Sequence, residues 1–115
     1  MRTTRLVIIG GGPAGNTCAS VAATLGAEVT LIERDVIGGA AHLWECIPSK
    51  ALIATGGELG ELTRAQTMGL QAEGTLDVEA LERRIDSIEG RLREALAETL
   101  LSQGIRVLNG NGRFA

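Results

Sequence analysis

A short apolar run, Leu6-Val7-Ile8-Ile9, breaks off into Gly10-Gly11-Gly12-Pro13-Ala14-Gly15, after which small residues carry on to Leu25. The β-branched run predicts a buried strand stopped by glycines. Asn16 to Leu25, rich in Ala, Ser, Val and Thr and followed by Gly26, predicts a close-packed helix. Glu28-Val29-Thr30-Leu31-Ile32-Glu33 reads as a second strand. Together these make a βαβ unit of about the usual 30 residues.

The glycines at the first junction are spaced G-x-G-x-x-G, at Gly10, Gly12 and Gly15. Gly10 permits a tight turn, Gly12 lets the backbone approach a pyrophosphate, and Gly15 lets helix and strand pack closely. The helix start offers free N–H groups and about half a positive charge to phosphates. Pro13 is tolerated there because its missing N–H falls in the first turn. Glu33 ends the second strand, eighteen residues after Gly15. A carboxylate at that distance can accept hydrogen bonds from ribose hydroxyls, and it would repel a 2′-phosphate. A strand before the glycines, a helix after them and the acidic residue beyond favour a dinucleotide site over an ordinary glycine loop. They do not distinguish NAD from FAD.

Bulk properties fit one domain. The 115 residues allow one modest core. With one Trp, one Phe and no Tyr, that core must be Leu, Ile, Val and Ala, which suits a parallel sheet covered by helices. The net charge of −3, with no basic cluster, argues against nucleic acid as a partner. No apolar run approaches the roughly 20 residues of a membrane span. The N-terminal run ends in glycines rather than in a signal-peptide cleavage site. Cys18 and Cys46 make no disulfide framework, and a cytoplasmic setting is expected.

Beyond Asp35 comes Gly38-Gly39-Ala40-Ala41-His42-Leu43-Trp44-Glu45-Cys46-Ile47-Pro48-Ser49-Lys50. Pro48 suits the first turn of a helix, which Ala51 to Leu62 continue despite Gly56-Gly57. Met68 to Leu76 reads as a loop. Asp77 then caps a long helix, with Val78, Leu81, Ile85, Ile88, Leu92, Ala95, Leu96, Thr99 and Leu100 spaced by threes and fours. Its charged face, including Glu82, Arg83, Arg84 and Asp86, is expected in solvent, and its apolar stripe in the core. Gly104 ends the helix, Ile105 to Leu108 predicts a third strand, and Asn109-Gly110-Asn111-Gly112 a turn. The fold class is α/β: a Rossmann-like βαβ unit with two further helices and a third parallel strand. The sheet is expected to have an open edge beside the first strand, which makes the domain incomplete.

Cys46 falls near a helix start and four residues before Lys50, surroundings that make a thiol reactive. The alternative is a small buried hydrophobe, but a place lining a site is the favoured reading of Cys46. Cys18, within the first helix, is expected in the core. His42 is read as a surface or satisfied histidine. Trp44 is read as a packing residue rather than a plate for a flat substrate.

With GGGPAG, Glu33 and GGAAHLWECIPSK in this order, the chain resembles the FAD-binding start of the pyridine-nucleotide disulfide oxidoreductases. That family includes dihydrolipoamide dehydrogenase, glutathione reductase and mercuric reductase. The resemblance implies that residues 1–115 are the N-terminal part of a single FAD-binding domain. Gly10, Gly12, Pro13, Ala14 and Gly15 would cradle the FAD pyrophosphate, and Glu33 would bind the adenosine ribose. Gly38, Gly39 and Ala40 would run along the cofactor, Lys50 would lie near the flavin edge, and Gly112 would face the adenine. Cys46 matches the flavin-proximal cysteine of the family's redox pair and is, with Lys50, a candidate catalytic residue. The other cysteine of the pattern GGTCxxxGCxPSK is replaced by Ala41. A dithiol relay needs two sulfurs within bonding reach.

The subgroup that lacks this first cysteine resembles the NAD(P)H:quinone dehydrogenases. The resemblance therefore implies a full-length homodimer that passes electrons from NAD(P)H through FAD to a quinone-type acceptor. The alternatives are a dihydrolipoamide dehydrogenase-like disulfide reductase with a second sulfur from elsewhere, an inactive FAD- or nucleotide-binding module, and a broken domain that does nothing alone. No metal site is expected.

Overall fold

The structure is a computed structural model and describes residues 3–114, apart from the side chain of Leu43. The elements in chain order are β1 (Arg5–Ile9), α1 (Pro13–Thr24), β2 (Glu28–Glu33), α2 (Ala40–Leu43), α3 (Cys46–Thr67), α4 (Val78–Ser102) and β3 (Arg106–Asn109). The α/β reading is correct, and so are all three strands to within a residue. Helix α1 begins three residues earlier than the small-residue run, at Pro13. Gly26, at φ +85°, then turns the chain back toward the sheet.

The sheet is parallel throughout, in the order β1-β2-β3. Ile8 stands beside Leu31 and Leu31 beside Val107, so one face carries these residues and the other carries Val7, Ile9, Ile32 and Leu108. Helices α1 and α4 cover the first face. There Ala19, Val29, Leu31, Leu100 and Ile105 form the core, flanked by Ile8, Ala22, Ala23, Ile37 and Leu96. Leu31 and Leu100 are fully buried, each worth about 1.5–3 kcal/mol relative to exposure. On the opposite face Val7 and Ile9 are exposed, and β1 forms an edge as expected.

Helix α3 starts at Cys46, two residues before Pro48, and runs to Thr67, five residues past the predicted end. The 68–77 loop doubles back along its last turns. Gln66 Nε2 donates to the Ala72 carbonyl, and Leu59 and Leu62 face Ala72 and Gly74 across a shallow groove. Helix α4 therefore begins beside Glu58 rather than beside Thr67. Ala51 packs on Leu81 and Ile85 in a second small core. Asp77 caps α4 as expected, its Oδ1 accepting from Ala80 N at 2.9 Å. The apolar stripe of α4 is only partly core: Leu81, Ile85 and Leu100 are buried, whereas Val78 and Leu92 are exposed. Further along the helix Leu92, Ala95 and Thr99 border a crevice shared with His42 of α2, while Leu96 and Leu100 reach the core under the sheet.

The core expectation for Cys18 is wrong. Asn16 and Ala19 are the buried residues of α1, and at 100° per residue Cys18 faces away from them, exposed. Among the described residues no helix is long and apolar enough to cross a membrane.

Candidate functional site

The ends of β1, β2 and β3 open together on one side of the sheet, where parallel α/β folds bind ligands. The crevice there has a volume of about 410 Å³. Ile9 and Gly10 form one wall, Glu33 to Val36 the second, and Gly110 to Gly112 the third, with Gly39, Ala40 and Trp44 closing the mouth.

Its first wall is built by glycine. Gly10 sits at φ +103°, which an L side chain rarely adopts. Gly10 N donates to the Ile32 carbonyl at 2.8 Å, so the loop starts still tied to β2. A Cβ on Gly15 would overlap the Gly10 carbonyl oxygen. The first turn of α1 therefore rests directly on the loop. A Cβ on Gly12 would meet nothing within 4 Å, so the space beside this backbone is open. Ala14 and Gly15, in the first turn, have no helical acceptor for their N–H groups.

Gly11 ties the parts together. Its N–H donates to Glu33 Oε2 at 2.6 Å. Its carbonyl accepts from Asn16 Nδ2 at 2.5 Å and from Gly38 N at 2.8 Å. Glu33 also accepts from Asp35 N through Oε1, at 2.9 Å. Burial pushes the Glu33 carboxyl up, but the amides of Gly11, Asp35 and Arg34 and the Arg34 charge outweigh it, and its pKa lies below the ordinary value. Each carboxylate oxygen retains acceptor capacity for a further donor.

The second glycine pair docks α2 on this loop. Gly38 and Gly39 have φ of +104° and +62°, and a Cβ on Gly39 would stand 3.1 Å from Gly12 Cα. The third wall follows from β3: Gly110 N donates to the Glu33 carbonyl, and Gly112 packs so close to Ile9 that a Cβ would stand 2.9 Å from Ile9 Cγ1.

Of the residues singled out from sequence, Gly10, Glu33, Gly39, Ala40 and Gly112 line the crevice, while Gly12, Pro13, Ala14 and Gly15 form the loop and helix start beside it. Gly38 is buried beneath. Cys46 and Lys50 are not in the crevice wall. They stand one turn apart at the exposed start of α3. Ala41 lies in α2, so no sulfur faces Cys46 from that position.

Sequence reasoning missed several contributors. Gly11 and Asn16, which tie the loop together, carry no motif of their own. Arg34 and Asn111 lie beside recognised residues. Trp44 is not packed: it is 69% exposed and lines the crevice. His42 is neither surface nor satisfied. Its Nδ1 is buried without a hydrogen-bond partner, as is Asn16 Oδ1. Both residues border a separate crevice between α1, α2 and α4, with Leu92, Ala95 and Thr99 opposite.

Comparison with known proteins agrees with this geometry. The sequence profile of the family described as pyridine nucleotide-disulphide oxidoreductase matches residues 4–114. An NAD(P)H dehydrogenase (quinone) of Mycobacterium tuberculosis is 40% identical over 117 residues, covering 96% of this chain and 24% of that protein. Dihydrolipoyl dehydrogenase 2 of Haloarcula marismortui is 34% identical over 111 residues, with the same coverage. The crystal structure of LpdA from Mycobacterium tuberculosis superposes with a TM-score of 0.88 at 39% identity, over 98% of this chain and 25% of that one. The chain thus spans about a quarter of the length of these relatives. A Rossmann-like βαβ unit with its glycine loop tied to an acidic strand end, matched by that profile along nearly its whole length, belongs to the pyridine nucleotide-disulphide oxidoreductase family.

Proposed function

We propose that the chain is the N-terminal, FAD-binding portion of a flavoprotein oxidoreductase that passes electrons from NAD(P)H to a quinone-type acceptor. The observation that carries the binding half is the crevice. Its residues fit FAD: the open face at Gly12 is where a diphosphate needs room, the free amides of Ala14 and Gly15 suit its charge, and Glu33 has acceptor capacity left for ribose hydroxyls. Gly112 would face the adenine and Ala40 would run along the cofactor. Gly10, Pro13, Gly38 and Gly39 hold the backbone in the form this requires.

When bound, FAD supplies the hydride chemistry between NAD(P)H and the acceptor. The chain's own part is to hold and orient it. Cys46 and Lys50 are proposed to border its reactive edge, one as a polarizable sulfur and the other as a fixed positive charge. Ala41 decides the acceptor class. With no second sulfur at that position, a dithiol relay cannot form between residues 41 and 46, and a flat acceptor that takes electrons directly suits the site. The relative named as a quinone dehydrogenase supports this reading. Relatives named as dihydrolipoyl dehydrogenases share the family, but the disulfide reading needs a sulfur that position 41 lacks. The full-length protein is proposed to be a cytoplasmic homodimer.

Titration of the purified 115-residue chain with FAD tests the first half: saturable binding is expected, without steady NADH oxidation. In a version extended to the family's length, NADH oxidation driven by a benzoquinone and absent with lipoamide is expected. Lipoamide-dependent turnover there would overturn the quinone assignment.

A further inference from the structure

We infer that a water molecule held in the crevice between α1, α2 and α4 bridges Asn16 Oδ1 and His42 Nδ1. The two side chains thereby act as positioning residues, holding the short helix α2 against the glycine loop. The consequence for the cofactor rests on the FAD reading above; the bridge itself does not.

Asn16 is 6% exposed, on the buried side of α1. Its Nδ2 donates to the Gly11 carbonyl at 2.5 Å, which fixes the amide and leaves Oδ1 as its free end. That oxygen is buried and accepts from no donor. His42 borders the same crevice from α2. A Cβ on Gly38 would overlap the imidazole, so the ring sits in space that only glycine leaves. In that seat Nδ1 is buried without a partner. An unpaired buried polar atom carries its full desolvation cost, and here two belong to residues that border one crevice.

Water answers both. It donates one hydrogen to Oδ1, which can only accept. With its other hydrogen or a lone pair it serves Nδ1, whichever ring nitrogen carries the proton. The crevice has a volume of about 400 Å³, ample against the roughly 30 Å³ that one water occupies in the liquid. The rest of the polar lining also accepts. Thr17 and Thr99 Oγ1 give their hydrogens to the Pro13 and Ala95 carbonyls, each at 2.8 Å, and keep lone pairs for a further donor. No Asp, Glu, Lys or Arg stands among the described lining residues, so a neutral donor suits the site and an ion does not.

Asn16 holds Gly11, and Gly11 holds both Glu33 and Gly38. The bridge extends this network by a side-chain link to α2, four residues with no side-chain cap. Cys46 and Lys50 follow α2 at the start of α3. Loss of the bridge would therefore loosen the segment along which the cofactor is proposed to run, while the glycine loop keeps its own hydrogen bonds.

NMR of the 115-residue chain tests this, because His42 is its single histidine and gives isolated ring signals. Carbon-bound protons do not exchange with solvent, so Asn16 Hβ and His42 Hε1 report true water contacts. Both are expected to show cross-relaxation with water, with the opposite NOE and ROE signs of a long-lived molecule. His42→Leu removes Nδ1 and should abolish the Asn16 contact. His42→Asn sets an amide near the place of Nδ1 and should restore it. FAD affinity should fall by about 3- to 10-fold in His42→Leu and recover in His42→Asn. An Asn16 contact that is missing in the wild type, or unchanged in His42→Leu, overturns the bridge. Should His42→Leu fail to fold, the wild-type contacts decide: long-lived water at both protons upholds the bridge, and its absence at either overturns it. FAD affinity equal in all three chains overturns the positioning role. If the wild type binds no FAD, the cofactor reading falls, and the water contacts alone judge the bridge.

Discussion

Gly11 gives its amide hydrogen to Glu33 Oε2 at 2.6 Å, joining the glycine loop to the end of a strand 22 residues later. The acidic residue beyond the glycines, proposed above as a ribose acceptor, thus has a second part to play. It fixes the loop's shape before any ligand arrives. The Glu33 pKa lies below its ordinary value of 4.5, so the unfolded chain binds more protons in the window between the two values. The stabilisation is fully present above pH 4.5 and is lost as pH falls through the folded value. Glu33→Gln should cost about 1.5–3 kcal/mol near neutrality and flatten the acid limb of the stability curve. Urea unfolding from neutral to acid pH reads both. An acid limb unchanged in the variant would show that Glu33 is not what the loop depends on.

At Gly15 the margin is steric. A Cβ there would overlap the Gly10 carbonyl, which is backbone and has nowhere to move while Gly10 N holds Ile32. Gly15→Ala should destabilise by about 1–3 kcal/mol. Gly12→Ala, where a Cβ meets open space, should leave the melting temperature nearly unchanged and weaken FAD binding instead. Thermal melts with and without FAD separate the two. Equal destabilisation by both variants would contradict the geometry.

Restoring the sulfur at position 41 tests how far the redox segment keeps its family form. Ala41 lies in α2 and Cys46 opens α3 three residues after α2 ends. Ala41→Cys should bring the free-thiol count down by two on mild oxidation, provided the Cα atoms come within about 7 Å. The same oxidation should leave both thiols of the wild-type monomer free. Three titratable thiols in the oxidised variant would mean that the segment no longer supports a pair.

The two ends of α4 differ in what they contribute. Asp77→Ala removes the hydrogen bond to Ala80 N and should cost about 1 kcal/mol. Leu100→Ala empties a fully buried position beneath the sheet and should cost about 2–5 kcal/mol. Chemical denaturation of the two variants should rank them in that order.

Much of the fold is written locally. Val29 and Leu31 face the core because alternation along a strand puts them there, and Gly26 ends α1 because its φ of +85° suits no other residue as well. The crevice floor was legible for the same reason: Gly10, Gly12, Gly15 and Glu33 carry backbone requirements that depend on spacing alone. What escaped depends on contacts between segments. Helix α2 is four residues with no side-chain cap, and it exists because Gly39 seats it against Gly12. Trp44 looks like core until α2 carries it to the mouth of the crevice. Cys18 looks like core in any small-residue helix, until Asn16 and Ala19 set which side meets the sheet. The start of α4 beside Glu58 could not be read either, since a glycine-rich loop has no visible direction.

That returning loop leaves the far end of α3 with a thin covering. From Leu62 to Thr67 the helix is exposed except at the half-buried Leu62 and Ala65, and Leu62, Thr63 and Gln66 face residues 72–75 across that groove. A protease would find its first cut there, and trimming the tip would spare the β-strands and the glycine loop. A shortened hairpin, with Ala51 still packed on Leu81 and Ile85 across α3 and α4, is thus a natural starting point for a smaller scaffold.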